Sequence, residues 1–62
     1  MNRVKEIREE RNISQERLSE LSGISRQTIS KIEADPSANV TVDTLRKLAE
    51  AMGVKFEDIF MA

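Results

Sequence analysis

Apolar residues along the chain recur every three or four positions, a spacing that places them on one face of an α-helix. By contrast, the run of β-branched residues at 40–42 is only three residues long, which is short for a strand. The pattern therefore predicts an all-α protein. The apolar stripes are Val4 and Ile7; Leu18 and Leu21; Ile29 and Ile32; and Leu45, Leu48, Ala49 and Met52.

Capping residues, glycines and a proline separate these stripes into five predicted helices, which cover 3–11, 15–22, 26–34, 42–52 and 55–60. Gly23 and Gly53 suit the left-handed residue that follows a helix. Asp35-Pro36 ends the third helix, because the residue before a proline avoids the α region. Side chains that can cap a helix N-terminus stand at Asn2, Ser14, Ser25 and Thr41.

The joint between the second and third predicted helices is only Gly23, Ile24 and Ser25, which forces a sharp turn between their axes. Ile29 and Ile32 are expected to anchor the third helix to the core. This leaves polar side chains on its outward face, and their donors and acceptors match those of base edges in the DNA major groove. The outward residues are Arg26, Gln27, Ser30 and Lys31.

Four segments in this order resemble the phage-repressor-like helix-turn-helix family, also called the XRE or Cro-repressor type. The resemblance runs from about Val4 to Phe60 and implies a compact five-helix DNA-binding domain. Its helix-turn-helix would be the second and third helices, with the third helix in the major groove and the second across the backbone. The segments are IREERNISQERLSELSGIS, SRQTISKIE, TVDTLRKLAEAMGV and EDIF.

The resemblance also implies roles for individual residues. Arg26, Gln27 and Lys31 match the positions that read bases. Gln15 matches a residue that contacts a phosphate and braces the third helix. The full predicted set of DNA-contacting residues is Gln15, Ser25, Arg26, Gln27, Thr28, Ser30, Lys31, Asn39 and Arg11.

A structural ion pair is implied as well. Arg8 and Glu33 match a partly buried pair that ties the first helix to the third. Removing one partner of such a pair destabilises a fold more than the intact pair stabilises it.

A dimer interface is predicted in the last helix. One recognition helix contacts one half-site, and specific sites are usually reached by doubling the contacts across a two-fold axis. The loop at 39–42 is expected to complete the patch, and Ile59 is assigned to the core as well. The predicted interface residues are Phe56, Ile59, Phe60 and Met61.

The composition removes most catalytic chemistry. The chain has no cysteine and no histidine, which excludes thiolate nucleophiles, imidazole acid–base catalysis and the commonest zinc ligands. Its two glycines make no glycine-rich phosphate loop, and its adjacent carboxylates diverge on a helix. We therefore expect neither an enzyme nor a bound cofactor or metal.

Charge is distributed unevenly, although the formal net charge is only −1. Between Arg11 and Lys31, four basic residues stand against two acidic ones, so the basic excess coincides with the proposed contact surface. The loop at 35–41 lacks lysine and arginine, where the family often contacts phosphates. Affinity is therefore expected to depend on dimerisation and on N–H groups at helix starts.

These observations predict one domain, residues 1–62, that binds double-stranded DNA as a homodimeric transcription regulator and acts as a repressor. The chain has neither an apolar run near about 18 residues nor a signal-peptide core, which predicts a cytoplasmic protein without a membrane span. The alternative is a protein-binding module such as the antitoxin of a toxin–antitoxin pair. That alternative is favoured by the small number of basic residues relative to acidic ones, since DNA-binding surfaces are usually strongly basic.

Overall fold

The computed structural model describes residues 2–35 and 39–60. Within that part the chain forms five helices and no strand, so the predicted all-α, five-helix fold is confirmed. An isolated antiparallel bridge joins Asn2 to Phe60. The helices are α1 (Val4–Glu10), α2 (Gln15–Ser22), α3 (Arg26–Ala34), α4 (Val42–Met52) and α5 (Phe56–Ile59).

Side-chain caps begin three of these helices where the sequence predicts them. In each case a hydroxyl oxygen accepts a hydrogen bond from the backbone N–H three residues later, which satisfies a donor that has no partner inside the helix. The three bonds are Arg17 N to Ser14 Oγ at 3.0 Å, Thr28 N to Ser25 Oγ at 3.2 Å and Thr44 N to Thr41 Oγ1 at 3.1 Å.

The start of α1 lies one residue later than predicted. Arg3 occupies the N-cap position and its side chain makes no capping bond. Asn2 contributes instead from one residue further out, because its Oδ1 accepts a hydrogen bond from Val4 N at 3.1 Å.

Left-handed residues end two helices as predicted. Gly23 follows α2 with φ 75° and Gly53 follows α4 with φ 73°. A third left-handed residue, Asn12 with φ 56°, lies between α1 and α2 and was not predicted. Asparagine is among the few side chains that tolerate this conformation, and here it permits a tight connection without glycine.

The core is a single apolar cluster to which all five helices contribute. Helix α4 packs against α1, α2 and α5, while α3 packs against α1 and α2. The predicted apolar stripes supply most of it, but Leu21 of these stripes lies outside it. It is 45% exposed, because the packing of α2 covers Leu18 and leaves its last turn open. The buried residues are Val4, Ile7, Leu18, Ile29, Ile32, Leu45, Leu48, Ala49, Met52 and Ile59.

The two ends of the described chain lie side by side. Arg3 N donates a hydrogen bond to Ile59 O at 2.9 Å, and Arg3 Nη1 donates to Asp58 O at 3.3 Å. These bonds attach the short α5 to the entrance of α1. No helix in the described ranges has the length and apolar character needed to cross a membrane.

Candidate nucleic-acid interface

The turn between α2 and α3 is held by side-chain hydrogen bonds as well as by its glycine. Ser19 Oγ donates to Ile24 O at 2.6 Å. Ser22 Oγ accepts from Ile24 N at 3.1 Å. The hydroxyl of Ser19 thereby joins α2 to the residue that precedes the cap of α3. The angle between α2 and α3 is therefore set by local bonds at residues 19–24 and by the core.

Helix α3 has one buried face and one exposed face. Ile29 is fully buried and Ile32 is 3% exposed. The other face carries side chains that are exposed and, among the described residues, form no ion pair or side-chain hydrogen bond with the rest of the chain. A set of polar groups left without internal partners is available to an external one. These residues are Arg26, Gln27, Ser30 and Lys31.

Two hydroxyl residues at the start of α3 are paired with each other. Ser25 Oγ donates to Thr28 Oγ1 at 2.8 Å while accepting from Thr28 N. Both residues are exposed. Since Thr28 Oγ1 acts as the acceptor, its own hydroxyl hydrogen remains able to donate to a further group.

A cleft of about 260 Å³ runs beside α3 towards the start of α4. It brings Lys31 and Thr28 of α3 to the same side of the molecule as Asn39 and Thr41 of the following loop. Asn39 is exposed, as the sequence analysis requires of a contact residue. The residues lining the cleft are Thr28, Lys31, Ile32, Asn39, Val40, Thr41 and Thr44.

Arg8 and Glu33 form a two-bond ion pair between α1 and α3. Arg8 Nε lies 2.8 Å from Glu33 Oε2, and Arg8 Nη2 lies 2.9 Å from Glu33 Oε1. The side chains are only 13% and 4% exposed. The remaining Arg8 nitrogen, Nη1, donates to Ile13 O at 2.8 Å. The pair thereby joins α1, the connection to α2, and α3.

Gln15 contacts the same carboxylate. Its Nε2 donates to Glu33 Oε1 at 2.9 Å, so the first residue of α2 is bonded directly to α3. Burial acts to raise the pKa of the Glu33 carboxyl, but hydrogen bonds from Arg8 and Gln15 and the charge of Arg8 outweigh it. The pKa of Glu33 is therefore lowered from its ordinary value.

Arg11 borders the ends of two helices, α1 and α4. It is the residue that follows α1, and its exposed guanidinium lies beside Gly53 at the end of α4. Among the described residues it forms no ion pair.

The fold places the residues of the predicted dimer interface in different environments, from exposed to buried. The rings of Phe56 and Phe60 stack with centroids 5.4 Å apart, and Phe60 is 46% exposed. The Arg46 guanidinium lies 5.9 Å from the centre of the Phe56 ring. Ile59 is fully buried within its own chain, so it belongs to the core and offers no surface to a second copy. Met61 lies outside the described residues.

The comparison with protein families decides the classification of this arrangement. The helix-turn-helix family matches residues 4–59, which includes all five helices. This chain belongs to the helix-turn-helix family. The resemblance drawn from the four sequence segments is thereby confirmed.

Three relatives show how far the similarity extends. The chain is 38% identical to the HTH-type transcriptional regulator PuuR of Escherichia coli over 94% of its own length but only 31% of PuuR. It is 43% identical to the HTH-type transcriptional regulator MJ0272 of Methanocaldococcus jannaschii, over 97% of this chain and 89% of that one. Identity to YgzD of Bacillus subtilis is 39%, over 95% and 88% of the two chains. The chain thus spans about a third of PuuR and nearly all of the other two.

Proposed function

We propose that this chain regulates transcription by binding double-stranded DNA, with α3 in the major groove. Membership of the helix-turn-helix family and relatives named as transcriptional regulators support DNA-binding regulation in general. The observation that carries the more specific proposal is the outward face of α3. Its polar side chains are exposed and without internal partners in the described structure, while Ile29 and Ile32 fix the opposite face in the core.

The chemistry of this face suits base reading. Arg26 can donate two hydrogen bonds to O6 and N7 of guanine, and Gln27 can pair with N6 and N7 of adenine. Both residues belong to the first turn of α3, the part of a recognition helix that contacts base edges. Lys31 lies one turn further along beside the cleft, where a phosphate contact is the simpler role.

The small number of basic residues limits the expected affinity of one copy for DNA. The residues described between α3 and α4 include no lysine or arginine, so what they offer a phosphate is the Asn39 amide and backbone N–H groups. Helix N-termini can bind phosphate oxygens through such N–H groups. A single copy would therefore bind DNA weakly, and we propose that the active form is a homodimer that represses by occupying its site.

The proposed dimer uses the exposed ring of Phe60. Phe56 supports this ring by stacking on it, and the guanidinium of Arg46 in α4 lies over the Phe56 ring. A two-fold axis at this position would place the same ring on both sides of the interface. Such an interface leaves α2 and α3 of each copy free for DNA.

The first experiment is selection of bound sequences from a pool of random duplexes. We expect a two-fold symmetric consensus whose half-sites are about one helical turn apart. A consensus without symmetry would remove the homodimer from the proposal. If no sequence is enriched and the chain ignores mixed duplex DNA at low salt, the proposed function fails.

The dimer has its own test, with a matched control. Phe60→Ser is compared with Leu21→Ser, because the two side chains are 46% and 45% exposed. We expect Phe60→Ser to give a folded monomer with weak DNA binding, and Leu21→Ser to remain dimeric, both by analytical ultracentrifugation. A parent chain that is monomeric at tens of micromolar yet binds one site tightly would contradict the proposal.

The exposed Phe60 ring and the net charge of −1 favour one other function, a module that binds a partner protein as an antitoxin does. The selection of bound sequences from random duplexes distinguishes the DNA-binding regulator from this protein-binding module. An antitoxin-like module without DNA binding yields no consensus.

A further inference from the structure

We infer that Glu33 is a positioning residue for DNA binding, because its carboxylate orients the side-chain amide of Gln15 so that one N–H donor is presented at the start of α2. The inference rests on the proposed function and deepens it. It assigns Glu33, a side chain only 4% exposed, a part in affinity that is separate from its part in stability.

The first step is the direction of the amide. A carboxylate can only accept hydrogen bonds, whereas the two ends of a glutamine amide differ, one donating and one accepting. Glu33 Oε1 lies 2.9 Å from Gln15 Nε2, so the charge on Glu33 selects the amide orientation with the nitrogen facing inward. A neutral amide at position 33 would accept either orientation.

The second step is the count of hydrogens. The Gln15 Nε2 group carries two, and the bond to Glu33 uses one. Among the described residues, no acceptor takes the other. Glu33 is itself held by two bonds from Arg8, so the acceptor cannot turn away to follow Gln15. Orientation is therefore imposed on the Gln15 amide by the Arg8–Glu33 pair.

The third step is the place at which the donor is presented. Gln15 is the first residue of α2, where the first backbone N–H groups have no partner within the helix. Its partner Glu33 lies at the margin of the two faces of α3, between the buried Ile29, four residues earlier, and the exposed Ser30, three residues earlier. The oriented donor is thus next to the outward face of α3, where a DNA phosphate oxygen would lie against the start of α2.

The test is a double-mutant cycle on DNA affinity using Gln15→Ala, Glu33→Gln and the double variant. The probes are a duplex carrying the consensus selected from the random pool and a shuffled duplex of the same composition. Binding is measured at a temperature at which circular dichroism shows every variant to be folded. Glu9→Gln, which changes an exposed carboxylate of α1, is the matched control.

We expect Glu33→Gln to weaken binding about three- to tenfold in the parent chain, the size of one hydrogen bond, and to have no further effect once Gln15 is alanine. Because a phosphate carries no sequence information, the loss should be similar on both duplexes. Independent, additive effects in the cycle would overturn the inference. If the parent chain binds neither duplex, the proposed function itself has failed.

A second measurement avoids the variants and covers the case in which Glu33→Gln does not fold. The side-chain amide of Gln15 is followed by ¹⁵N-edited NMR in the parent chain during titration with the selected duplex. We expect the amide proton that is bonded to the Glu33 carboxylate to keep its resonance on DNA binding, and the other amide proton to shift. A Gln15 amide that does not respond to saturating DNA would overturn the inference.

Discussion

The two ends of α3 differ in almost every physical respect. At its start, Arg26 and Gln27 are exposed and form no side-chain bond with the rest of the described chain. Near its end, Glu33 is nearly buried and accepts three hydrogen bonds from α1 and α2. One helix thus combines a section fixed by the fold with a section whose side chains have no partner in the described chain. The fixed section determines where the free section lies.

Removing the buried carboxylate should have the largest effect on the molecule. Glu33→Ala leaves Arg8 with a poorly solvated, unpaired charge, and we expect the free energy of unfolding to fall by about 3 kcal/mol. Glu9→Ala, which removes an exposed carboxylate from α1, should change it by less than about 0.5 kcal/mol. Urea unfolding followed by circular dichroism measures both. Equal losses would mean that the Arg8–Glu33 pair is not formed in solution.

The opposite end of α3 should show the reverse behaviour. Arg26→Ala and Gln27→Ala are each expected to weaken specific DNA binding by about 1–3 kcal/mol and to relax base preference at one position of each half-site. The melting temperature should stay the same, because neither side chain packs in the core. Fluorescence anisotropy with the selected and shuffled duplexes makes the comparison. A loss of the same size on both duplexes would restrict these residues to phosphate contacts.

Low pH should weaken the buried pair at the end of α3. The pKa of Glu33 is lowered in the folded state by Arg8 and Gln15, so its contribution to stability is present above the ordinary value of 4.5 and is lost as pH falls through the lower folded value. The pKa of the exposed Glu6 carboxyl is also lowered, by a hydrogen bond from Arg3 and by the charge of Arg3. We expect the melting temperature to decline below about pH 4.5 and Glu33→Gln to decline less steeply. Parallel pH profiles for the two proteins would contradict the assignment.

The smallest effect is expected at Lys31, between the two ends. If Lys31 contacts a phosphate, Lys31→Ala should weaken binding to every duplex alike and reduce the dependence of log K on log salt by about 1 per subunit. Lys47→Ala is the control, because Lys47 is an exposed lysine that pairs with Asp43 on α4. The slope for the proposed dimer of the parent chain should not be steeper than about −10, since few cations are available. A steeper slope would reveal a basic contact surface beyond Arg11, Arg26 and Lys31.

Local chemistry explains why so much of the fold was predictable. The caps at Ser14, Ser25 and Thr41 depend on a hydroxyl and an N–H three residues away, and Gly23 and Gly53 depend only on the freedom of their own backbone. Such interactions are complete within one turn of chain. Helix boundaries at these points therefore follow from neighbouring residues.

The candidate site was less completely predictable. The outward residues of α3 follow from the positions of Ile29 and Ile32, since a helix with one buried face must expose the other. The resemblance to the helix-turn-helix family supplied the partners Arg8 and Glu33, which are 25 residues apart. The hydrogen bond of Ser19 to Ile24 went unpredicted, because a serine in a helix carries no sequence signal for its acceptor.

Local patterns in the sequence account for the elements of this protein: five helices, the caps of α2, α3 and α4, the sharp turn at residues 23–25 and the polar face of α3. Tertiary structure alone decided that Leu18 is buried while Leu21 is exposed, and that Ile59 lies in the core while Phe60 does not. It also decided that Gln15 meets Glu33. Periodicity identifies the side of a helix that is apolar, but burial and pairing depend on which neighbouring helix covers each turn. That depends on packing among segments distant in the chain.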